Sequence, residues 1–294
     1  MRWDLHLDAD GAPAYNMAKD EYCLERTLQT GRPSLRLYGW DRPALSLGRA
    51  QNMERELDLA ACTANGVDLV RRITGGRAVL HGSDLTYAVT APTSLPAFSG
   101  GILSIYREIS RALVAFLRSL GCEPQVKAYT ARERARLSSP ICFVTPSAFE
   151  ILADGRKLIG SAQRRLPRAF LQHGSIPLAP QAELLARLVR GAAAEALAGQ
   201  MTDLETLGVI GAVSISEVRQ RLVQAFSDEL GAAFQPAQWG DDDAVRVLGG
   251  MGDYPPLDAQ RAAPEGPARR LPSPRLRMGQ GAPPGAGRRG AAAQ

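Results

Sequence analysis

Apolar residues recur at helical spacing in several stretches of this chain and alternate at strand spacing in several shorter ones. Met17, Glu21, Leu24 and Leu28 share one face of a predicted helix, with Asn16 as its candidate N-cap. A second helix is predicted from a Ser104 cap. Ile105, Ile109, Leu113, Phe116 and Leu120 line it, and Gly121 stops it. A third covers roughly residues 181–195. A fourth starts at Ser216, presents Val218, Leu222, Phe226 and Leu230, and ends at Gly231. Strands are expected at 34–40, 67–72, 77–82, 84–91, 148–153, 156–162 and 168–176. In the fourth of these, Leu85, Tyr87 and Val89 alternate with polar or small neighbours. Asp154-Gly155 separates two apolar runs and predicts a hairpin, because a type I′ turn needs positive φ twice. Regular alternation after that turn puts Lys157, Ile159 and Ser161 on one face, and Leu158 and Gly160 on the other. Clustered strands with few long helices between them predict an α+β fold, a mixed β-sheet core with flanking helices.

Composition narrows the picture. The 294 residues are 45% hydrophobic, enough for a sizeable core. No apolar run is long enough for a membrane span, and the opening MRWDLHLDAD lacks a signal-peptide core. Cys23, Cys62, Cys122 and Cys142 form no C-x-x-C pair, and the histidines are only His6, His81 and His173, so no metal site is expected. Free thiols fit a reducing, cytoplasmic setting. From Gln260 onward there are seven arginines and one acid, Glu265, so the chain's net charge of +5 resides in its tail. The body is near neutral, and no nucleic-acid partner is expected from it. The boundaries read as a globular domain over 1–250 and a disordered Pro/Gly/Ala/Arg-rich tail over 251–294.

Four places could carry chemistry. In RRITGGRAVLHG, two arginines precede a Gly-Gly pair, Gly75 and Gly76, whose N–H groups could form an anion-binding concavity. A plain glycine hairpin turn fits the same residues. Lys157 follows the Asp-Gly turn. It is either a solvated lysine or a partly buried positive partner for a thiolate. Cys142 lies between Pro140 and Pro146 and is either packing or a nucleophile whose thiol a nearby cation activates. His173, before Gly174, could line a pocket. Cys23, Cys62 and Cys122 read as packing.

Five segments in order resemble the lipoate–protein ligase and octanoyltransferase superfamily, which has the biotin/lipoate protein ligase fold. They are AYNMAKDEYCLERTL, RPALSLGRAQN, RRITGGRAVLHGSDLTYAV, CFVTPSAFEILADGRKLIGSAQRR and LQHGSIPL, within residues 14–178. The chain is most similar to the cysteine-dependent octanoyltransferases. Cys142 stands just ahead of the PS-x-x-E segment, and Arg77 replaces the third glycine of the ligases. The resemblance implies that residues 1–250 are an acyltransferase catalytic domain. It implies that Cys142 is the nucleophile and Lys157 its activator. Arg72, Gly75, Gly76, Arg77, His81, Gly160, Ser161, Ala162, Gln163, His173 and Gly174 would form the substrate site.

Octanoyl would arrive as a thioester on acyl carrier protein and pass to a lysine of glycine-cleavage H protein or a lipoyl domain, as a step of lipoate biosynthesis. No ATP or metal would be needed, and the protein would be a monomer. Three other activities fit the same segments: an ATP-dependent lipoate or octanoate ligase, an octanoyl amidotransferase between lipoyl domains, and a non-catalytic carrier-binding module. Where the family often has an acid directly after the motif histidine, this chain has Gly82, with Asp84 two residues on.

Overall fold

The computed structural model describes residues 1–128 and 149–254. Eleven strands appear among them: β1 Arg2–Leu7, β2 Ser34–Tyr38, β3 Ala44–Leu47, β4 Asp68–Arg71, β5 Val79–His81, β6 Asp84–Pro92, β7 Gln125–Ala128, β8 Phe149–Ala153, β9 Arg156–Arg165, β10 Ala169–Pro177 and β11 Ala233–Pro236. The described helices are α1 Pro13–Thr30, α2 Met53–Glu56, α3 Leu59–Ala64, α4 Ile102–Ser119, α5 Ala182–Leu188, α6 Ala194–Ala198, α7 Ile215–Leu230 and α8 Asp241–Gly250.

Eight strands form one sheet in the order β11-β1-β2-β6-β10-β9-β8-β7, and β4-β3-β5 form a second. The β11–β1, β1–β2 and β3–β4 pairs are parallel and the remainder antiparallel, so both sheets are mixed. The expected α+β architecture is thus the observed one. β1 and β11 were not predicted from the sequence. They add the parallel edge by pairing two segments more than 220 residues apart.

Helix boundaries differ from the expectation for local reasons. α1 begins at Pro13, whose missing N–H and fixed φ suit a first turn. Asn16 therefore sits inside the helix and is not its cap. Its side chain donates to the carbonyls of Gly11 (3.1 Å) and Gly39 (2.9 Å). α4 starts at Ile102 after Gly101, ahead of Ser104. α7 is capped by Ser214, whose Oγ accepts from the Glu217 N–H at 3.2 Å, so Ser216 lies in its first turn. The single helix predicted near 181–195 is two short ones, α5 and α6, with Gly191 at φ 73° between them. At the far end, Tyr254 is buried against α1 and donates to Glu21, so ordered packing runs past residue 250.

Three apolar clusters fill the structure. Leu35, Leu37, Tyr87 and Phe170 on one face of the large sheet pack with Ile109, Leu113 and Phe116 of α4 and Leu222 and Phe226 of α7. On the other face, Tyr38, Ala88 and Leu171 pack with Met17 and Leu24 of α1. Around the small sheet, Leu45, Leu47 and Leu80 pack with Leu57, Cys62, Leu185 and Leu188. No described helix is long and apolar enough to cross a membrane.

Candidate active site

The site lies on the α1 face of the large sheet, where β10 is central. Register sets what faces it. His173 of β10 lies opposite Ala88 of β6 and Ala162 of β9, and directly opposed residues share a face. Gly174 lies opposite Tyr87 and Ser161, on the α4 and α7 face. A Cβ on Gly174 would come 2.5 Å from the Tyr87 ring and 2.8 Å from Ser161 Oγ, so only glycine fits. Between this face, α1 and the small sheet is a narrow, partly open cleft. Gly160, Ala162 and His173 line it from the large sheet, Arg72, Val79 and His81 from the small one, and Met17, Tyr38 and Trp40 from the α1 side.

Lys157 reaches this face through an irregularity that the sequence pattern hides. Leu152 pairs with Lys157, but Ile151 pairs with Ile159, so Leu158 is an extra residue, a β-bulge. Leu158 and Ile159 consequently both enter the α4-side core. Lys157 shares the face of Leu152 and Glu150, the opposite face from Ile159 and Ser161. This corrects the alternation expected from the sequence: a bulge spends one residue without a flip and re-aims every side chain before it. Lys157 is 3% exposed, and its Nζ lies 2.7 Å from Glu150 Oε1. Its backbone is clamped as well, donating to Gln200 O (2.9 Å) and accepting from Thr202 N (3.0 Å). Cys142 lies outside the described residues.

The Gly-Gly turn connects β4 to β5 and stands against the same face. Gly76 has φ 92°, and a Cβ there would meet Arg72 Nη2 at 2.9 Å and Ala162 Cβ at 3.7 Å. Gly48, following β3, comes so close that its own Cβ would be 2.0 Å from the Gly76 carbonyl oxygen. Arg77 pairs with Glu56 at 3.0 Å at the surface. Arg72, buried at 3% exposure, donates among the described residues to Thr74 Oγ1, to Ser46 O and Oγ, and to the carbonyls of Gly75 and Arg77.

Residues 12–227 match the description of the lipoyl protein ligase A/B catalytic domain. The chain belongs to that family. Its relatives include the octanoyltransferase LipM of Kyrpidia tusciae, 38% identical over 246 residues, spanning 80% of this chain and 90% of that protein. The octanoyltransferase LipM of Symbiobacterium thermophilum is 41% identical over 253 residues, spanning 80% and 89%. Among solved structures, a lipoate-protein ligase A bound with ATP superposes with a TM-score of 0.72 at 24% identity, covering 86% of this chain and 95% of that one. The bi-partite lipoate protein ligase of Thermoplasma acidophilum superposes at 0.70 with 23% identity, covering 86% and 92%. At those identities the superpositions establish the fold alone.

Within this family member, the cleft brings together Arg72, His81, Gly160, Ser161, Ala162, His173 and Gly174, and the Gly75–Arg77 turn stands beside it. Gln163 does not line the cleft. Its Nε2 donates to Gln172 Oε1 at 2.9 Å, behind the sheet near Tyr87. Burial raises the thiol pKa of Cys23 to about 12 and that of Cys62 to about 11, as befits packing residues.

Asp20, Ser46, Thr74 and Glu150 are among the polar residues of the site that the sequence did not single out. Asp20 carried a signal, being an acid at the third position after Met17 and the fourth before Leu24 on the apolar face of α1. Burial works to raise its pKa. The hydrogen bond from His173 and the charge of Arg36 outweigh burial and hold the carboxyl below its ordinary range. Burial lowers the pKa of His173, which keeps its ring neutral, against the opposing pull of Asp20.

Proposed function

We propose that this chain is an octanoyl-[acyl-carrier-protein]:protein N-octanoyltransferase of lipoate biosynthesis, working through a cysteine thioester without ATP or metal. The observation that carries the reading is its similarity, along four-fifths of its length, to proteins named octanoyltransferase LipM. The Cys142 thiolate attacks the thioester carbonyl of octanoyl-acyl carrier protein. The tetrahedral intermediate expels the carrier's thiolate, which takes up the proton lost by Cys142, and leaves octanoyl-Cys142. A lysine amine of glycine-cleavage H protein or a lipoyl domain then attacks. The amide forms, the Cys142–acyl bond breaks, and the amine's proton returns to the thiolate. One thioester is exchanged for another in the first step, so no activating nucleotide is called for. Lys157 supplies positive charge that favours thiolate over thiol. Its burial beside Glu150, and its turn onto the cleft face by the Leu158 bulge, support that role. The N–H groups of the Gly75–Gly76 turn are suited to a developing oxyanion.

The test is the intact mass of the protein after mixing with octanoyl-acyl carrier protein in the absence of ATP. We expect an octanoyl adduct that hydroxylamine removes and that Cys142→Ala abolishes. No adduct, with transfer appearing only once octanoate and ATP are added, would make the protein a ligase and return Cys142 to packing.

A further inference from the structure

Around Arg72 the structure repeats one arrangement twice. On one side, Asp20 Oδ2 of α1 lies 2.8 Å from His173 Nδ1, His173 Nε2 lies 2.8 Å from Thr74 Oγ1, and Thr74 Oγ1 accepts from Arg72 Nε at 3.1 Å. On the other, Asp84 Oδ2 of β6 lies 2.9 Å from His81 Nδ1, His81 Nε2 lies 2.8 Å from Ser46 Oγ, and Ser46 Oγ accepts from Arg72 Nη1 at 3.2 Å. All seven side chains are buried. The two chains arrive from different elements and meet on one guanidinium.

Donor and acceptor rules decide where the hydrogens lie. A guanidinium only donates, so each hydroxyl must accept from it. A hydroxyl has one hydrogen and two lone pairs, so it can accept from Arg72 and give its hydrogen to a neighbouring Nε2 that carries none. An ionised carboxylate only accepts, so each Nδ1 must carry the hydrogen. Both carboxylates are ionised. Asp20 also accepts from Arg36 (2.7 Å) and Tyr38 (2.8 Å), and Asp84 from Thr86 (2.9 Å) and Ser175 (2.7 Å). Burial raises the pKa of Asp84, but the histidine beside it and these hydroxyls more than offset that. One neutral Nδ1–H tautomer at each histidine therefore satisfies every group in both chains. Arg72 Nη2 is then left to bind the carbonyls of Gly75 (2.9 Å) and Arg77 (2.7 Å), which turns both carbonyls inward.

We propose that Asp20 and Asp84 are positioning residues for acyl transfer: each fixes its histidine as the Nδ1–H tautomer, so that Thr74 and Ser46 offer lone pairs to Arg72, and Arg72 holds the Gly75–Arg77 turn in place. Arg72, His81 and His173 line the cleft and hold the turn in this arrangement, and the turn's backbone meets the substrate. The inference rests on the transferase reading only for its kinetic consequence.

The experiment uses the full chain labelled with 15N-histidine, which has three histidines to assign. Long-range 1H–15N spectra at pH 7.5 are expected to show hydrogen on Nδ1 of both His81 and His173. In D20N, the new amide can donate to Nδ1, so the His173 hydrogen moves to Nε2 while His81 is unchanged. Thr74→Ser keeps the clamp, whereas Thr74→Val removes it. The valine variant should shift the Gly75 and Gly76 amide resonances and lower kcat by roughly 100-fold, the cost of a misplacement on the order of 1 Å. KM for the acyl donor should move far less. Hydrogen on Nε2 in the unmodified protein would overturn the proposal. So would a Thr74→Val variant whose amide shifts and turnover equal those of Thr74→Ser. If the unmodified protein transfers no octanoyl at all, the functional reading fails by itself, and the tautomers and amide shifts still decide the clamp.

Discussion

At the scale of single residues, the buried Lys157–Glu150 pair carries a large energetic stake. Each partner side chain is 4% exposed, and removing one takes a 2.7 Å ion pair from the other's buried charge. Such a loss costs about 3–5 kcal/mol, whereas removing both charges is often close to neutral. We therefore expect Lys157→Met and Glu150→Gln each to lower the urea midpoint, and the double variant to regain a good part of it. Octanoyl transfer should be absent in both variants that lack Lys157, so stability and activity separate. A double variant no more stable than its worse parent would show that the pair is not coupled. Gly48 makes a second case. An added methyl group would sit 2.0 Å from the Gly76 carbonyl oxygen, a backbone atom that cannot swing aside. Gly48→Ala should cost about 1–3 kcal/mol and displace the turn, visible as a shift of the Gly76 amide resonance. An unchanged spectrum would refute this.

At the scale of elements, the β8–β9 hairpin decides where Lys157 points. Asp154 and Gly155 both have positive φ, 50° and 71°, as the Asp-Gly pair predicts. Gly155→Ala keeps the turn only at a steric cost of about 1–2 kcal/mol, which a lowered thermal midpoint would register. No fall in the midpoint would mean that the turn adopts another geometry. The bulge three residues later was not legible, because Leu158 and Ile159 are both apolar and either reading of the alternation buries one of them. What selects the bulge is tertiary: α4 and α7 offer room for both side chains in one core. Likewise, α1 reads from its sequence as an ordinary amphipathic helix. Only its packing against β2 and β10 shows that Asp20 on its buried face meets Arg36, Tyr38 and His173.

At the scale of the whole molecule, four buried groups bias stability in the same direction below neutral pH. Burial, with Lys19 next, lowers the pKa of His6 from its ordinary 6.5 to about 4, and burial also lowers that of His173. Asp20 and Asp84 are held below their ordinary 3.8. In each of these four the unfolded chain takes up a proton before the folded one, so their contribution is full above pH 6.5 and falls as the medium is acidified. His6 alone should remove on the order of 3 kcal/mol between pH 6.5 and 4, and the two carboxylates add their loss below 3.8. The measurement is the urea midpoint across that range, and a flat profile from pH 7 to 4 would contradict the assignment.

By itself, the sequence determined what depends on neighbours along the chain. The helix stops at Gly121 and Gly231, the Asp-Gly hairpin, the alternation in β6 and the ordered segments shared with the lipoate ligase superfamily are all of that kind. The tertiary structure alone decided what depends on distant partners: the β1–β11 edge, the face on which Lys157 emerges, and the convergence of Asp20, Ser46, Thr74, His81, Asp84 and His173 on Arg72. The physical reason is that hydrogen-bond partners and room in a core are properties of assembled surfaces. Elements separated by up to 153 residues meet in that network, and no local periodicity records their meeting.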